Sequence, residues 1–377
     1  MFTISQQPPV VALSGSSLIF AVSSDRDEEF YRVMALPFPD DPDTGDLLPL
    51  NQNNQAVFDL HEYFAGTRAS EFVLENAFLH VNACKPAQIR FKEYFGNPPE
   101  AFGEITFNGN ILGGFIPRWK QNEFRALYSS FHDYLLTVKP YLTWSPRTFK
   151  KILPDQPERL YFLNTNIPAA LKIIVGVYFN DGTFALHDPN RSMDAGQYQV
   201  VSFATGFNAL GLQAWADLNH PGKKITHYYV SVTRAGYGIS EPFPYKVDYN
   251  NYRNVRYIVF KNSLSGWDVL ACTGENDETT EIERSTASRV ADVSDLTRLH
   301  KVEYRRDLSQ IVNVNTGWLT IGDKEWLTDL LISDQVFELI HDRLNPILIR
   351  TKQFDNTDRT FQPGEAEIAY ERLFLAE

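Results

Sequence analysis

Short apolar runs separated by turns characterise the first part of the chain. The runs cover residues 10–13, 18–22, 30–38, 55–63, 88–95 and 104–116. Each is bounded by Gly, Pro, Asn or Asp, the residues that end strands and form turns. About six or seven such strands make up an immunoglobulin or fibronectin type III sandwich, so we predict a β-sandwich over residues 1–117.

The alternation of apolar runs and turns is interrupted between residues 118 and 157. From Glu123 to Val138 the apolar positions recur at helical spacing. Four prolines follow, at positions 140, 146, 154 and 157, and each restricts the residue before it to extended backbone. We predict a helical, Pro-rich connector over residues 118–157.

A second set of strands follows over residues 158–247. The longest run, Leu171–Phe179, is almost wholly apolar and leads into Asn180-Asp181-Gly182. This tripeptide is typical of a hairpin turn, because Gly accepts the positive φ that such turns need. Further strands are predicted at 183–186, 197–205 and 225–233, and together they indicate a second β-sandwich.

The last segment, residues 248–377, contains both strand-like and helix-like spacing of apolar residues. Strands are predicted at 256–261, 267–272, 336–340, 347–351 and 367–374, with two polar segments at 275–290 and 298–313. A short helix is expected at 324–332, capped by Asp323, because its apolar residues fall on one face. We predict a C-terminal α+β, β-rich domain with one short helix.

Composition supports a mainly β, folded chain. Aromatic residues make up 14% of the 377 residues, and aromatic side chains favour strands and interfaces. The net charge of −12 disfavours nucleic acid as a partner, because DNA and RNA repel an acidic protein. The best basic pairs, Lys150-Lys151 and Arg305-Arg306, are interpreted as solvated surface.

The cysteines and the N-terminus bear on metal binding, disulfides and membrane insertion. Cys84 and Cys272 show no metal-ligand spacing and are interpreted as reduced thiols, with one long-range disulfide left open. The first residues resemble no signal peptide, and no apolar run is long enough for a membrane span. We expect synthesis in the cytoplasm without a signal peptide and no membrane insertion.

The common catalytic motifs are missing from the sequence. There is no P-loop, no complete GxGxxG fingerprint, no HExxH and no GxSxG elbow. Asp181 and Asp188 flank a predicted strand beside His187, and turn chemistry explains them better than a pair of glycosidase carboxylates. We predict a protein that is not an enzyme and needs no cofactor, with a carbohydrate-active enzyme as one alternative.

One loop offers a weak calcium candidate. Asp41, Asp43 and Asp46 surround a Thr-Gly pair, and calcium prefers clustered oxygen ligands. The spacing departs from an EF-hand, since the Gly falls one place early and no bidentate Glu follows. An exposed acidic turn is therefore favoured, and no metal is predicted.

Three tryptophans are the binding candidates. Trp119, Trp144 and Trp215 lie outside the strongest apolar runs. A Trp at such a position serves either as a platform for a sugar ring or as the anchor of a protein interface. We favour the interface.

Five short segments of the chain are distinctive: residues 56–60 (AVFDL), 254–268 (NVRYIVFKNSLSGWD), 315–319 (NTGWL), 326–333 (WLTDLLIS) and 345–349 (NPILI). These signatures resemble uncharacterised tail- or virion-associated structural proteins of phages and prophages of Bacteroidetes, and the resemblance implies synthesis in the bacterial cytoplasm. The resemblance implies a tail-tip, baseplate or adaptor protein located in the virion. It implies no catalytic residues.

Glycine–tryptophan pairs within these signatures also have a physical interpretation. Gly266 and Gly317 each precede a Trp, and a turn Gly followed by a buried Trp would make a rigid hairpin domain. We assign structural roles to Gly266, Trp267, Gly317, Trp318 and Trp326. Rigid β domains in series suit a symmetric homo-oligomer that docks neighbouring tail proteins, and a receptor module that binds a host surface glycan remains the second hypothesis.

Overall fold

The computed structural model describes residues 2–25, 31–38, 45–51, 53–65, 72, 79–81, 84–96, 100–137, 141–144, 149–288, 301–352 and 365–373. The protein is mainly β, with 51% of residues in strands and 12% in helices, arranged in several sheets. This confirms the predicted fold class at that level. The chain forms two compact units, the first made of residues 1–248 and 261–268 and the second of residues 249–260 and 269–377.

The N-terminal part of unit 1 contains two sheets. Its elements are β1 (Thr3–Gln6), β2 (Val11–Leu13), β3 (Ile19–Ser23), β4 (Arg32–Leu36), β5 (Asp46–Pro49), β6 (Gln55–Asp59), α1 (His61–Phe64), β7 (Leu79–Val81), β8 (Cys84–Phe95) and β9 (Glu100–Leu112). One sheet has the order β1-β3-β6 and the other β2-β9-β8-β4-β5. Strand β2 pairs parallel with β9, and the other pairings in these sheets are antiparallel.

Both sheets contribute side chains to one apolar core. Phe20 and Phe58 come from the three-stranded sheet, and Phe91 and Phe107 come from the five-stranded sheet. The Phe20 ring lies 5.2 Å from that of Phe91 and 5.0 Å from that of Phe107. The aromatic residues of the predicted strands therefore fill the space between two layers.

Two helices replace the single helix predicted from Glu123 to Val138. They are α2 (Arg118–Leu127) and α3 (Phe131–Thr137). The break falls at two serines: the Ser130 hydroxyl accepts a hydrogen bond from the Asp133 amide (3.1 Å), and the Asp133 carboxylate accepts one from the Ser129 amide (3.0 Å). Such side-chain caps start a new helix. The helical spacing of apolar residues that predicts one helix is therefore divided between two.

The second part of unit 1 repeats the two-sheet arrangement. Its elements are β10 (Lys150–Ile152), β11 (Arg159–Leu163), β12 (Ala169–Phe179), β13 (Phe184–His187), β14 (Ser192–Ala195), β15 (Val200–Ala204), α4 (Leu212–Asn219), β16 (Ile225–Arg234), β17 (Tyr237–Gly238) and β18 (Phe243–Val247). The larger sheet has the order β10-β18-β16-β12-β13, with β14 pairing to β12 and β17 to β16. The predicted hairpin turn is present, with Gly182 at φ +79°.

Two features of this part differ from the sequence prediction. Strand β10 lies inside the predicted connector, yet it pairs parallel with β18 and belongs to the sheet. The third sheet, β11-β15-β7, takes its edge strand β7 from the N-terminal part, so a strand pairing joins the two predicted sandwiches. Helix α4 was not predicted.

Unit 2 is built on one seven-stranded antiparallel sheet. Its elements are β19 (Arg256–Lys261), β20 (Trp267–Cys272), β21 (Asn276–Ser288), β22 (Lys301–Asn315), α5 (Ile321–Ile332), β23 (Val336–Ile340), β24 (Arg343–Ile349) and β25 (Glu367–Arg372). The strand order is β20-β19-β23-β24-β25-β22-β21. Residues 261–268, at and between the ends of β19 and β20, are part of unit 1. The two polar segments seen in the sequence form the long hairpin β21–β22.

Helix α5 begins earlier than the sequence predicted. Its N-cap is Thr320, not Asp323, and the two residues form a capping box in which each side chain accepts from the other's amide. The helix packs on the sheet through Trp326, whose ring lies 5.5 Å from that of Phe260. Asp323 therefore stabilises the helix start from the third position inside it.

Candidate functional site

The three tryptophans singled out as binding candidates are all half-buried. Trp119 lies on α2, with the Lys120 ammonium 5.1 Å from its ring centroid. Its indole N–H is buried and has no hydrogen-bond partner among the described residues. A buried donor without a partner is costly, and Trp119 lacks the indole hydrogen bond that Trp144 makes.

Trp144 and Trp215 make intramolecular contacts instead. The Trp144 indole donates a 2.7 Å hydrogen bond to the Ser263 hydroxyl, which holds the 261–268 segment within unit 1. Trp215 lies on α4 with its ring 4.8 Å from His187 and 5.1 Å from His220. The structure does not bring the three tryptophans together into one described site.

Both glycines assigned structural roles are required by their surroundings. A Cβ on Gly266 would lie 2.1 Å from the Leu142 carbonyl oxygen, so only Gly permits this approach. Gly317 has φ +70°, in the left-handed region that favours glycine. These positions are conformational requirements of the backbone.

The tryptophans next to them differ in burial. Trp267 and Trp326 are 4% exposed, as a structural role demands. Trp318 is 65% exposed, so the prediction that it buries a large apolar area was wrong. Gly317 turns the chain in such a way that Leu319, at 8%, is buried in its place.

The calcium candidate falls mostly outside the described residues. Asp41 and Asp43 are not described, and Asp46 starts β5 and accepts a 2.8 Å hydrogen bond from the Tyr63 hydroxyl. No group of three or more His, Cys, Asp or Glu side chains in the described ranges could hold a metal ion. No helix in those ranges is long and apolar enough to cross a membrane.

The paired acidic residues and the cysteines have ordinary roles. Asp181 accepts from the Thr183 amide (3.0 Å) and pairs with Lys223 (2.8 Å), which is the turn role that the sequence favoured. Asp188 accepts from the Asn190 amide (2.8 Å). Cys84 and Cys272 are both free thiols, and burial raises the pKa of Cys84 to about 12.

The most unusual chemistry in unit 1 is a buried cluster of one lysine and two carboxyl groups. The Lys150 ammonium on β10 lies 2.5 Å from Glu158 Oε1 and 3.3 Å from Asp268 Oδ1. Lys150, Glu158 and Asp268 are 3%, 1% and 2% exposed. Charged side chains are almost never buried this deeply unless they pair, and here each has a partner of opposite sign.

Neutral donors complete the cluster around the carboxylates. The Thr143 hydroxyl lies 3.0 Å from both oxygens of Asp268, and the Asn262 amide donates to Asp268 Oδ2 at 2.8 Å. The Gln156 amide donates to Glu158 Oε2 at 3.2 Å. The two carboxylates are therefore solvated by protein groups in place of water.

Burial dominates the electrostatics of the cluster. It raises the pKa of Glu158 to about 7, partly offset by Lys150 and reinforced by the nearby Asp268. Burial alone would lower the pKa of Lys150, but the two carboxylates outweigh it and raise that pKa. Glu158 therefore exchanges a proton near neutral pH while Lys150 keeps its charge.

The sequence analysis missed this cluster. Lys150-Lys151 was interpreted as solvated surface, and this is wrong for Lys150: the strand alternation of β10 points Lys150 inward and leaves Lys151 exposed. The available signal was the alternation of Lys150, Lys151 and Ile152 in a short strand. The partner Asp268 lies 118 positions away, and only the fold reveals it.

A second candidate is an aromatic face on the larger sheet of the same part of unit 1. Its members, which we call the aromatic face, are Phe149, Tyr178, Phe184, His227 and Tyr229. Tyr178 on β12 stacks on His227 on β16, with ring centroids 4.5 Å apart and planes 11° apart. Phe184 on β13 lies 4.8 Å from Tyr178, and Phe149 lies 5.1 Å from His227.

Strand alternation and one glycine create this face. Along β12 the buried residues alternate with half-buried ones, so Tyr178 points away from the core. Leu186 pairs with Gly176, and a Cβ on Gly176 would lie 2.9 Å from the Phe184 ring. Gly176 therefore makes room for Phe184, which stays 51% exposed, while Leu186 is 65% exposed.

Most cations near the aromatic face are neutralised by their own neighbours. Lys172 pairs with Asp188 at 2.5 Å, and Lys151 pairs with Asp248 at 2.8 Å. Burial, helped by the charge of Lys246, lowers the pKa of His227, so its ring is neutral at neutral pH. The face is therefore mainly apolar, and Lys246, which lies across from His227 on β18, places one positive charge beside it.

Comparison with known proteins does not assign the chain to a family. No protein-family model matches the chain, and no curated protein matches its sequence.

Proposed function

We propose that this protein is a non-enzymatic structural component of a phage tail or tail-like particle, acting by oligomeric assembly and protein–protein docking. The observation that carries the proposal is the aromatic face, where Phe184 and Leu186 are exposed beside a stacked Tyr–His pair. The core of a protein interface is apolar, rich in aromatic residues and poor in charge, which matches this face. The resemblance of the short signatures to phage tail proteins suggests the particle in which such an interface would work.

The finer fold assignment belongs to the same proposal. In the N-terminal part, β4, β8 and β9 with β5 correspond to strands C, F, G and C′ of an immunoglobulin domain, and β1, β3 and β6 to A, B and E. In the second part, β12, β16, β18 and β13 correspond to C, F, G and C′, and β11 and β15 to B and E. Tandem immunoglobulin-like sandwiches offer rigid surfaces in series, which suits a virion component.

A strand pairing between the two modules is a feature that suits a structural scaffold. Strand β7, from the N-terminal module, pairs with β15 of the second over Leu79–Val81. Main-chain pairing of this kind adds a strand to a sheet, as in recognition by β-augmentation. This strand pairing links the two modules through main-chain hydrogen bonds in addition to the chain connection.

A glycan-binding role is the second candidate. The exposed Phe184 ring, held beside Tyr178, offers an aromatic surface against which a sugar ring could stack. Exposed Leu186 argues for protein instead, because an aliphatic side chain offers a sugar no hydrogen bond. A glycan array with bound sugars lost on Tyr178→Ala replacement would favour the glycan role.

The burial of the acid pair Glu158 and Asp268 argues against the carbohydrate-active alternative. Glu158 and Asp268 converge on Lys150, but they are 1% and 2% exposed, so a sugar could not reach them in this conformation. A glycosidase needs both carboxyl groups to line an open cleft. We therefore keep the structural role as the conclusion.

The direct test is the native mass of the purified chain, alone and mixed with the proteins encoded beside it. We expect a symmetric oligomer or co-assembly with tail proteins, measured by light scattering after size-exclusion chromatography. A chain that stays monomeric and ignores every tail protein would overturn the proposal.

A further inference from the structure

The buried cluster holds the reactants of an amide condensation. The Lys150 amine is the nucleophile, and the Asp268 carboxyl group lies with Oδ1 at 3.3 Å from it. Glu158, with Oε1 at 2.5 Å from the same nitrogen, is within reach for proton transfer. A fold that holds an amine and a carboxyl group in contact replaces most of the entropy that a reaction between free molecules must lose.

We propose that Lys150 and Asp268 join in an intramolecular isopeptide bond, with Glu158 carrying protons between them. Lys150 Nζ gives one proton to Glu158, which passes it to Asp268, so that a neutral amine faces a carboxylic acid. The amine then attacks Asp268 Cγ. A second proton moves from Nζ through Glu158 to the hydroxyl group that leaves, the Cγ–O bond breaks, and one water departs.

The step balances without any other reactant. One N–C bond forms and one C–O bond breaks, and the oxygen from Asp268 leaves with two protons that came from the lysine ammonium. Glu158 ends in its starting protonation state, and nothing is oxidised or reduced. The starting ion pair of Lys150 and Asp268 becomes a neutral amide.

Asp268 is the electrophile because its oxygens meet preorganised donors. The Thr143 hydroxyl lies 3.0 Å from both oxygens, and Asn262 donates to Oδ2 at 2.8 Å. Donors that are already aimed at a carboxyl oxygen stabilise the negative charge that develops there during attack. Glu158 receives one amide donor, Gln156, on Oε2.

Glu158 has the properties of a proton carrier. Burial raises its pKa to about 7, so it accepts and releases protons near neutral pH. The closed surroundings also favour condensation. All three groups are 3% exposed or less, so released water has little chance to return, and a neutral amide avoids the cost of burying charge.

The bond would close a covalent loop within unit 1. It would tie β10 to the 261–268 segment across 118 positions of sequence. The same segment is held by Trp144, Asn262 and the close approach at Gly266. A covalent tie at this point resists unfolding by force or heat, which is useful to a particle protein.

Mass spectrometry of the purified full chain tests the bond directly. We expect the intact mass to be lower than the sequence mass by one water. Tryptic digestion should leave no cleavage after Lys150 and should yield one branched peptide pair that contains Lys150 and Asp268. The Lys150→Met and Glu158→Gln variants should both show the full sequence mass.

Controls separate this bond from other losses of water. Lys151→Met removes the neighbouring exposed cation and should keep the branched pair, because Lys151 contacts Asp248 instead. A water lost at Asp181-Gly182, the place where an aspartimide would form, would overturn the proposal. So would a branch from Lys150 to Glu158, or a wild-type chain that is folded by circular dichroism and retains its full mass.

Discussion

Phe184 lies across the hairpin from Tyr178, and their ring centroids are 4.8 Å apart. The contact fastens an exposed ring to the stacked Tyr178–His227 pair and so extends the aromatic face to the edge of the sheet. A rigid apolar surface of this kind loses little conformational entropy when a partner covers it.

The double variant Phe184→Ser with Leu186→Ser should weaken assembly much more than stability. Both side chains are more than half exposed, so we expect the free energy of unfolding to change by about 1 kcal/mol or less. Removing two apolar anchors from an interface core should weaken association by tenfold or more, on the order of 1.4 kcal/mol or above. Light scattering across a dilution series measures this.

Leu218→Ser is the matched control for that variant. Leu218 is 82% exposed, but it lies on α4, away from the aromatic face. Its replacement should leave association unchanged. Equal weakening by both variants, or by neither, would contradict the assignment of the face.

Gly266→Ala should destabilise unit 1. The new Cβ would lie 2.1 Å from the Leu142 carbonyl oxygen, so backbone must shift, and we expect a loss of about 2–3 kcal/mol in the free energy of unfolding. Gly238→Ala meets open space and should change stability by about 0.5 kcal/mol or less. Urea denaturation followed by tryptophan fluorescence compares the two; similar midpoints would refute the close-approach explanation.

Glu338 in unit 2 should be a strong stability determinant. This carboxylate is 1% exposed and contacts Arg256 and Arg372. Glu338→Gln removes the buried charge between the two arginines. Each arginine keeps its pair with Glu278, so we expect a loss of about 2 kcal/mol. Glu371→Gln breaks a pair with the exposed Arg350 and should cost about 1 kcal/mol or less.

The same residue predicts an acid sensitivity of unit 2. Burial alone would raise the pKa of Glu338, but hydrogen bonds from Arg372 and Arg256 lower it below its ordinary value. Its stabilising contribution is therefore present at pH values above the ordinary carboxyl pKa and is lost as pH falls through the folded value. Thermal melts of wild type and Glu338→Gln should converge at acid pH, and a constant difference down to acid pH would contradict this.

Glu158 predicts the opposite pH dependence in unit 1. Its pKa is raised to about 7, chiefly by burial, so the folded state binds a proton that the unfolded state has released. The resulting stability is complete below the ordinary carboxyl pKa and is lost as pH rises through about 7. Glu158→Gln should remove this decline in melts recorded across that range; a slope equal to that of wild type would refute it.

Much of the local structure could be predicted from the sequence. The strand at Leu171–Phe179, the turn at Gly182 and the hairpin strands 256–261 and 267–272 follow from apolar runs and turn residues that act over a few positions. The helix boundary at Thr320 was missed by three residues, because Thr320 and Asp323 can each serve as a cap and only the geometry distinguishes them.

The candidate sites depend on contacts between residues that are far apart in the sequence. Their position outside the strongest apolar runs predicts Trp144 and Trp215 as interface or glycan anchors, but within the fold Trp144 contacts Ser263 and Trp215 contacts His187. Trp318 was expected to be buried and is exposed, because a turn glycine sets where the chain goes and leaves open which side chain faces inward. The aromatic face combines residues of separate strands, and no local pattern joins them.

By itself the sequence determined the mainly β character, the turns and the two glycines that the backbone requires, because these depend on properties of a residue and its immediate neighbours. Tertiary structure alone decided that Lys150 is buried and that it meets Asp268 at a separation of 118 positions. The reason is physical: a lysine is buried only where its charge is matched, and the matching carboxylates reach it through the pairing of β10 with β18 and the return of residues 261–268 to unit 1.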